Sequence, residues 1–251
     1  MPPSQPTLMG SRCISMVLPR AARLRQVRRD REERLHCLDA ARLYFVCEGL
    51  PGGLDPAALL ARALRGGADA IQLREKAPRS SEEIVSLADP FRRAAAQAGA
   101  LFVLNDRSDL VGACHADGVH VGQDDVPVAE ARQQAGPAAL VGLSTHSREE
   151  LDAACAAEGD KRPDYISVGP VWATPTKEGR PATGVEYVRY AAENATLPWF
   201  AIGGIDARNV GEVVAAGATR IVVVRAIRDA GDPEAAARAL REALEGAPAV
   251  R

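Results

Sequence analysis

From residue 42 onward, short apolar runs alternate with segments in which apolar positions recur every three or four residues. The runs are Arg42–Cys47, Ala70–Leu73, Leu101–Leu104, Gly118–Val121, Leu140–Leu143, Tyr165–Val168, Trp199–Ile202 and Arg220–Val224. Most are continuous rather than alternating, the pattern of parallel strands covered on both faces. Between them, end signals mark helices. Asp55 caps a helix over Pro56–Arg65, with Pro56 at its first position. Ser80 caps Ser81–Ala98, where Glu83 completes a capping box. Glu150 repeats that logic for Ser147–Ala157, and Asp232 followed by proline opens Pro233–Leu244. A short helix is predicted over Ser108–Ala113. Gly66-Gly67, Gly99, Gly136 and Gly217 fall where a left-handed residue closes a last turn. Pro90 is expected to kink the second long helix or divide it in two.

Eight strand–helix units in about 210 residues fit an α/β fold, a single (β/α)8 TIM barrel preceded by a basic extension. The division is 1–39 for the extension and 40–251 for the barrel. An open doubly wound sheet would want a glycine fingerprint after its first strand, and Gly49-Leu-Pro-Gly-Gly53 is not that pattern.

Composition refines this picture in three places. The net charge of −2 excludes a general nucleic-acid binder. Residues 1–34 nevertheless carry eight arginines against Asp30, Glu32 and Glu33, a local +5. A transit peptide and a nucleic-acid arm compete there with a solvated amphipathic helix from about residue 20 or an over-extended translation start. The two plainer readings are favoured, a poorly ordered stretch or lone helix without chemistry. Five cysteines without close pairing or metal-ligand spacing read as reduced thiols of a cytoplasmic protein. No apolar run is long enough for a membrane span, and no secretory signal opens the chain.

In this fold the working face is the C-terminal end of the strands, so the chemistry is sought at strand exits. The second strand runs into Gln72-Leu-Arg-Glu-Lys76, and a long loop after the sixth holds Thr174-Pro-Thr-Lys177. These motifs contain two of the three lysines in a chain with 28 arginines. A position that keeps lysine against such a bias wants a compact ammonium, which suits a phosphate oxygen. Alternation aims Gln72, Arg74 and Lys76 to one side, as a polyphosphate cradle or as a salt-bridged strand end around Glu75. Asn105-Asp106 follows the third strand and Gln123-Asp124-Asp125 the fourth. Two carboxylates beside cations suit Mg²⁺, which combines a few carboxylates with water and phosphate oxygens. Helix capping accounts for one of these aspartates but not for their clustering with Asn105 and Gln123. Ser144-Thr-His146 leaves the fifth strand, one hydroxyl as a cap and Ser144 toward ligand. His36, His115 and His146 read as structural or solvated, and His120, within the fourth strand and able to point into the barrel, as core. Trp172 in the long loop offers a face for a flat ring. Gly203-Gly204 and Val224-Arg225, after the seventh and eighth strands, stand where this fold builds phosphate sites from backbone amides. Two anion sites without a nucleophile–base pair fit displacement of pyrophosphate by a phosphorylated acceptor.

In this order and at these strand ends, Gln72-Leu-Arg-Glu-Lys76, Asn105-Asp106, Gly118-Val-His-Val-Gly-Gln-Asp-Asp125, Thr174-Pro-Thr-Lys177 and Ala201-Ile-Gly-Gly-Ile205 resemble thiamine-phosphate synthases. The resemblance runs from about residue 42 to 245. It implies a transferase of thiamine biosynthesis. Hydroxymethylpyrimidine diphosphate would be joined to thiazole phosphate, or its carboxylated precursor, with release of pyrophosphate. By the family's pattern Gln72, Arg74, Lys76, Asn105, Ser144 and Lys177 hold the pyrimidine diphosphate. Lys177, Arg74, Lys76 and Ser144 carry the catalytic burden, and Asp106 and Asp125 bind Mg²⁺. Thr174, Thr176, Gly204, Val224 and Arg225 line the thiazole phosphate site. The implied chemistry is dissociative, pyrophosphate leaving before the thiazole nitrogen captures the pyrimidine methylene cation. Ala173 stands where many relatives have proline, and Arg225 where many have serine. The implied partners are small molecules, with neither nucleic acid nor membrane; a homo-oligomer is compatible with the sequence but no face for it is legible. A thiazole tautomerase-like isomerase would need only the monophosphate site. A non-catalytic sensor would bind both substrates without turnover.

Overall fold

The computed structural model describes residues 29–173 and 181–246. Eight parallel strands close into a barrel in chain order, with β1 Leu43–Cys47, β2 Ala70–Leu73, β3 Leu101–Asn105, β4 Gly118–Val121, β5 Leu140–Thr145, β6 Tyr165–Val168, β7 Trp199–Ile202 and β8 Ile221–Val223. The helices are α1 Arg31–Ala40, α2 Ala57–Arg65, α3 Ser81–Ala98, α4 Val111–Cys114, α5 Val128–Ala135, α6 Arg148–Ala156, α7 Gly184–Asn194, α8 Val210–Ala215, α9 Arg225–Arg228 and α10 Pro233–Glu245. The (β/α)8 barrel expected from the alternation of runs is the fold observed.

Local signals act as read, with small shifts. Ser80 and Glu83 form a reciprocal capping box on α3, Ser147 caps α6 and Asp232 caps α10. Asp55 instead bonds the amide of Ala57, so that Pro56 is the cap and α2 starts one residue later than expected. Pro90 does not divide α3, which runs unbroken for 18 residues.

Each strand separates two apolar populations by its pleat. Leu43, Phe45, Ile71, Leu73, Phe102, Leu104, Val119 and Val141 face outward and form one layer with the helices. Tyr44, Val46, Ala70, Leu101, Val103, Leu140, Tyr165, Phe200 and Val222 face inward. Leu38 and Ala41 from α1 join this interior cluster. Residues 29–40 contain the helix expected before the barrel, exposed at Glu32, Glu33, His36 and Asp39 but docked through Leu38 rather than standing alone. They close the floor of the barrel, and their arginines are ion-paired. Arg29 and Arg34 lie 3.1 and 3.3 Å from Asp117, and Arg31 lies 2.5 Å from Asp164.

The floor has a repeating device. Asp69, Asp117 and Asp164 each stand one residue before an even-numbered strand, and each accepts an amide from the odd-numbered strand before it. Asp69 takes Leu43 N–H at 3.1 Å, Asp117 takes Phe102 N–H at 3.0 Å, and Asp164 takes Val141 N–H at 2.7 Å. Arg220 holds the corresponding place before β8 and instead donates to the carbonyls of Ala41 and Asp39.

Candidate active site

At the opposite end the strands open into a cleft of about 300 Å³. On one side it is lined by Gln72, Arg74, Asn105 and Ser144, and on the other by Gly204, Val224 and Arg225. Period-two alternation explains the first set. Gln72 follows Ala70 by two positions, Asn105 follows Val103, and Ser144 follows Leu140 by four, so all continue inward-facing rows. The rows are apolar near the floor and polar at the mouth.

Ser144 is not beyond its strand, as expected, but inside β5, which extends to Thr145. The strand is longer because Ser144 and Thr145 pair with Ser167 and Val168 of β6. Ser147 is the helix cap, and Thr145 bonds the Ser167 carbonyl. Gln123 has a further role at this strand exit. Its amide donates to the Ser144 carbonyl at 2.7 Å and fastens the exit of β4 to β5.

The charged groups gather at the rim over β2 to β4. Lys76 Nζ lies 2.8 Å from Asp106 Oδ2. Neither aspartate acts as a helix cap. Asp106 has φ of 62°, a left-handed backbone that tolerates aspartate and asparagine. Asp125 accepts the Gly122 amide at 2.8 Å. Desolvation pushes the Asp106 carboxyl above its usual range; Lys76 opposes this, and the negative charge of Asp125 adds to it. Desolvation also holds the Arg74 guanidinium below its usual value, against the pull of Asp106, Glu48 and Asp125. It stays cationic all the same. Asn105 Nδ2 is buried without a hydrogen-bond partner among the described residues. An orphaned donor beside two cations is suited to an anionic oxygen.

No cluster of three or more His, Cys, Asp or Glu side chains among the described residues is arranged to hold a metal. Asp106 and Asp125 are two hard carboxylates whose mutual repulsion a divalent cation would relieve. The set fits an ion that takes its other ligands from water and phosphate oxygens.

Across the cleft, Gly203 and Gly204 have φ of 108° and 70°. A side chain at Gly203 would stand 2.5 Å from Pro170 Cα, so only glycine fits. A side chain at Gly204 would meet Trp172 Cβ at 2.8 Å. Trp172 itself packs against the outer apolar layer rather than lining the cleft, contrary to the stacking role expected of it. Arg225 starts α9 and lines the cleft. Thr174, Thr176 and Lys177 lie outside the described residues.

Sequence reading missed the floor of the cleft. His120 is not inert core. It lines the cleft, its Nε2 lies 3.0 Å from Ser144 Oγ and its Nδ1 3.3 Å from Tyr165 OH. Tyr44, Ser167 and Gln72 belong to the same buried group. The available signal was the inward parity shared by residues 118 and 120, and by 165 and 167. His146, read as structural, bonds the Gly169 carbonyl at 2.5 Å.

The fold and the cleft define a (β/α)8 barrel of the enzyme layout, with its polar groups collected at the C-terminal mouth. A family model described as thiamine monophosphate synthase matches residues 43–227. A thiamine-phosphate synthase of Arthrobacter sp. (strain FB24) is 51% identical over 183 residues, 65% of this chain and 77% of that protein. Another, from Nostoc punctiforme, is 58% identical over 135 residues, 54% of this chain but 37% of the longer relative. Among solved structures, a thiamine phosphate pyrophosphorylase from Pyrococcus furiosus superposes with a TM-score of 0.73 at 32% identity, covering 83% of this chain and 97% of that one. The chain belongs to the thiamine monophosphate synthase family, transferases that join the pyrimidine and thiazole moieties in thiamine biosynthesis.

Proposed function

We propose that the barrel, residues 40–251, joins 4-amino-2-methyl-5-hydroxymethylpyrimidine diphosphate to 4-methyl-5-(2-phosphoethyl)thiazole, or to its carboxylated form, at this cleft. The observation that carries the reading is the orphaned Asn105 amide beside Arg74, in one cleft with Gly204 and Arg225. The pyrimidine diphosphate lies over β2 to β5. Gln72 and Ser144 hold its ring, and Asn105, Arg74 and Lys76 its diphosphate oxygens. Lys177 joins them from the loop after β6. The thiazole phosphate lies over β7 and β8, between Gly204, Val224 and Arg225, with Thr174 and Thr176 from the same loop.

Mg²⁺, held by Asp106 and Asp125, would neutralise charge on the diphosphate when bound. The protein's own groups do the rest. Arg74 and Lys76 concentrate positive charge where the leaving pyrophosphate gains negative charge. Lys76 changes partner, from Asp106 to a phosphate oxygen. The two halves of the cleft align the thiazole nitrogen with the pyrimidine methylene, which removes most of the entropy of meeting. The work is expected in the cytoplasm, on soluble substrates; no helix among the described residues is long and apolar enough to cross a membrane.

The test is thiamine phosphate formation from the two substrates with Mg²⁺, with and without EDTA. Metal-dependent product is expected, together with its loss in Lys177→Ala and Asp106→Ala at unchanged thermal stability of Lys177→Ala. Substrate binding without pyrophosphate release would replace the synthase by a sensor.

A further inference from the structure

On one side of the barrel β1 separates the two halves of the cleft. Its pairing with β8 sets Phe45 beside Val223, and its pairing with β2 sets Cys47 beside Leu73. The ladder to β2 runs one bond further, where Arg74 N–H donates to the Cys47 carbonyl at 2.9 Å. The next residue, Glu48, therefore leaves the barrel between Arg74 and the short helix α9.

Glu48 is joined to α9 through Arg228. Arg228 Nη1 donates to Glu48 Oε1 at 2.7 Å, while its Nε and Nη2 hold Asp229 at 2.6 and 3.1 Å. The backbone of the same two residues carries this clamp to the cleft. Arg228 N–H donates to the Val224 carbonyl and Asp229 N–H to the Arg225 carbonyl, each at 3.0 Å. Val224 and Arg225 both line the cleft. Ile227 anchors the turn in the core, but a helix of one turn has few bonds of its own to fix its first residue. The ion pair at its far end supplies that restraint.

The other oxygen of Glu48 faces a different charge. Oε2 is shielded from solvent and has no hydrogen-bond partner among the described residues. A carboxylate with one oxygen unbonded keeps much of its field for its neighbours. Arg74 feels that field: among the carboxylates that favour its charged form, Glu48 ranks after Asp106 and before Asp125.

We propose that Glu48 is a positioning residue shared by the two halves of the cleft: through Arg228 it fixes the turn that presents Val224 and Arg225, and its carboxylate tempers the cation of Arg74. Arg74 must hold a diphosphate ester and then let go of pyrophosphate, which carries more charge. A fixed carboxylate beside the guanidinium weakens its grip on the more highly charged product. The proposal rests on the synthase reading for its substrates, but the ion pair and its effect on anions do not.

Three readouts on the full-length protein test it, with Glu48→Gln and Arg228→Gln. Without substrates, each variant should speed hydrogen exchange at the Arg228 and Asp229 amides about three- to tenfold. Unchanged exchange overturns the clamp. Inorganic pyrophosphate with Mg²⁺, titrated in a calorimeter, should bind about three- to tenfold tighter to Glu48→Gln and more weakly to Arg228→Gln, since one variant removes the carboxylate charge and the other leaves it unpaired. Shifts in the same direction, as a purely structural pair would give, or no shift, overturn the effect on Arg74. KM for thiazole phosphate should rise about three- to tenfold in both variants, as for loss of one partly exposed ion pair. An unchanged KM overturns the positioning of Arg225. A wild-type protein that binds pyrophosphate but makes no thiamine phosphate refutes the synthase, while the first two readouts still test the pair.

Discussion

Replacing Asp164 by alanine removes three interactions at the barrel floor at once. Its carboxylate is 6% exposed and accepts from Val141 N–H at 2.7 Å, from Arg132 at 3.2 Å and from Arg31 at 2.5 Å. Arg31 is 37% exposed, so water screens that pair and its loss costs little. Arg132 is 13% exposed and would be left as a half-stranded charge, with only the Arg162 carbonyl at 2.7 Å for company among the described residues. Losing one partner of a buried pair costs about 3–5 kcal/mol, and the Val141 amide contributes about 1.5–3 kcal/mol within that figure. At about 2–4 °C per kcal/mol for a chain of this size, Asp164→Ala should lower Tm by about 6–20 °C. Asp164→Asn keeps an acceptor for Val141 and should recover about 1 kcal/mol or more of the loss. Urea and thermal unfolding give both numbers. Turnover measured well below Tm should be unaffected, because the mouth lies at the other end of the strands. A loss below about 1 kcal/mol for alanine, or equal losses for the two variants, would sink the account of the floor.

Asp106→Asn should do the opposite. Its native carboxyl is raised, mainly by desolvation, so the native state holds the proton more tightly than the unfolded chain. That contribution is full below the ordinary aspartate range and is lost as pH rises through the elevated native value. At neutral pH the charge is a burden, so the variant should gain Tm at pH 7, gain less near pH 4, and lose activity; a lower Tm at pH 7 would contradict the direction of the shift. Gly203→Ala should lose stability and thiazole phosphate affinity together, because φ of 108° disfavours alanine and its methyl meets Pro170, and an unchanged KM would dissociate this turn from the site. Arg74→Ala should raise KM for the pyrimidine diphosphate by about 10- to 100-fold, the value of a charge-assisted bond, with little change in Tm. A chain starting at residue 42 should aggregate or lose more than 10 °C in Tm, roughly the loss of two buried ion pairs; normal solubility would show α1 to be dispensable.

The barrel was legible because its evidence is local. Capping boxes, glycines after helices and short apolar runs each report on a handful of residues, and eight of them in sequence leave one closed topology. The rim residues were legible for a related reason: polar groups directly after an apolar run have nowhere to go but the mouth. The floor of the cleft was not. A strand buried on both faces shows no polar–apolar alternation, so nothing in Gly118–Val121 alone says that His120 looks inward and Val119 outward. Only the registers of β4 with β5, pairing His120 with Gly142, and of β5 with β6, pairing Gly142 with Tyr165, bring the ring under Ser144. The helix before the barrel was legible but its docking on the floor was not, because its arginines read as a solvated charge run and their partners Asp117 and Asp164 lie 80 or more residues away, each looking like an ordinary loop aspartate.

The aspartates of the floor divide the barrel unevenly. β1 with β2, β3 with β4, and β5 with β6 are each stitched by a carboxylate that belongs to one strand and holds the amide of the other. For β7 with β8 the stitch is an arginine that reaches past its neighbour to the end of α1. Local opening follows such seams. The last quarter of the barrel should therefore exchange its amide hydrogens faster than the other three, and it is the quarter that carries Gly203, Gly204 and Arg225. In the proposed arrangement a second substrate would then enter through the loosest pair of staves, while the first would rest on the three that are fastened.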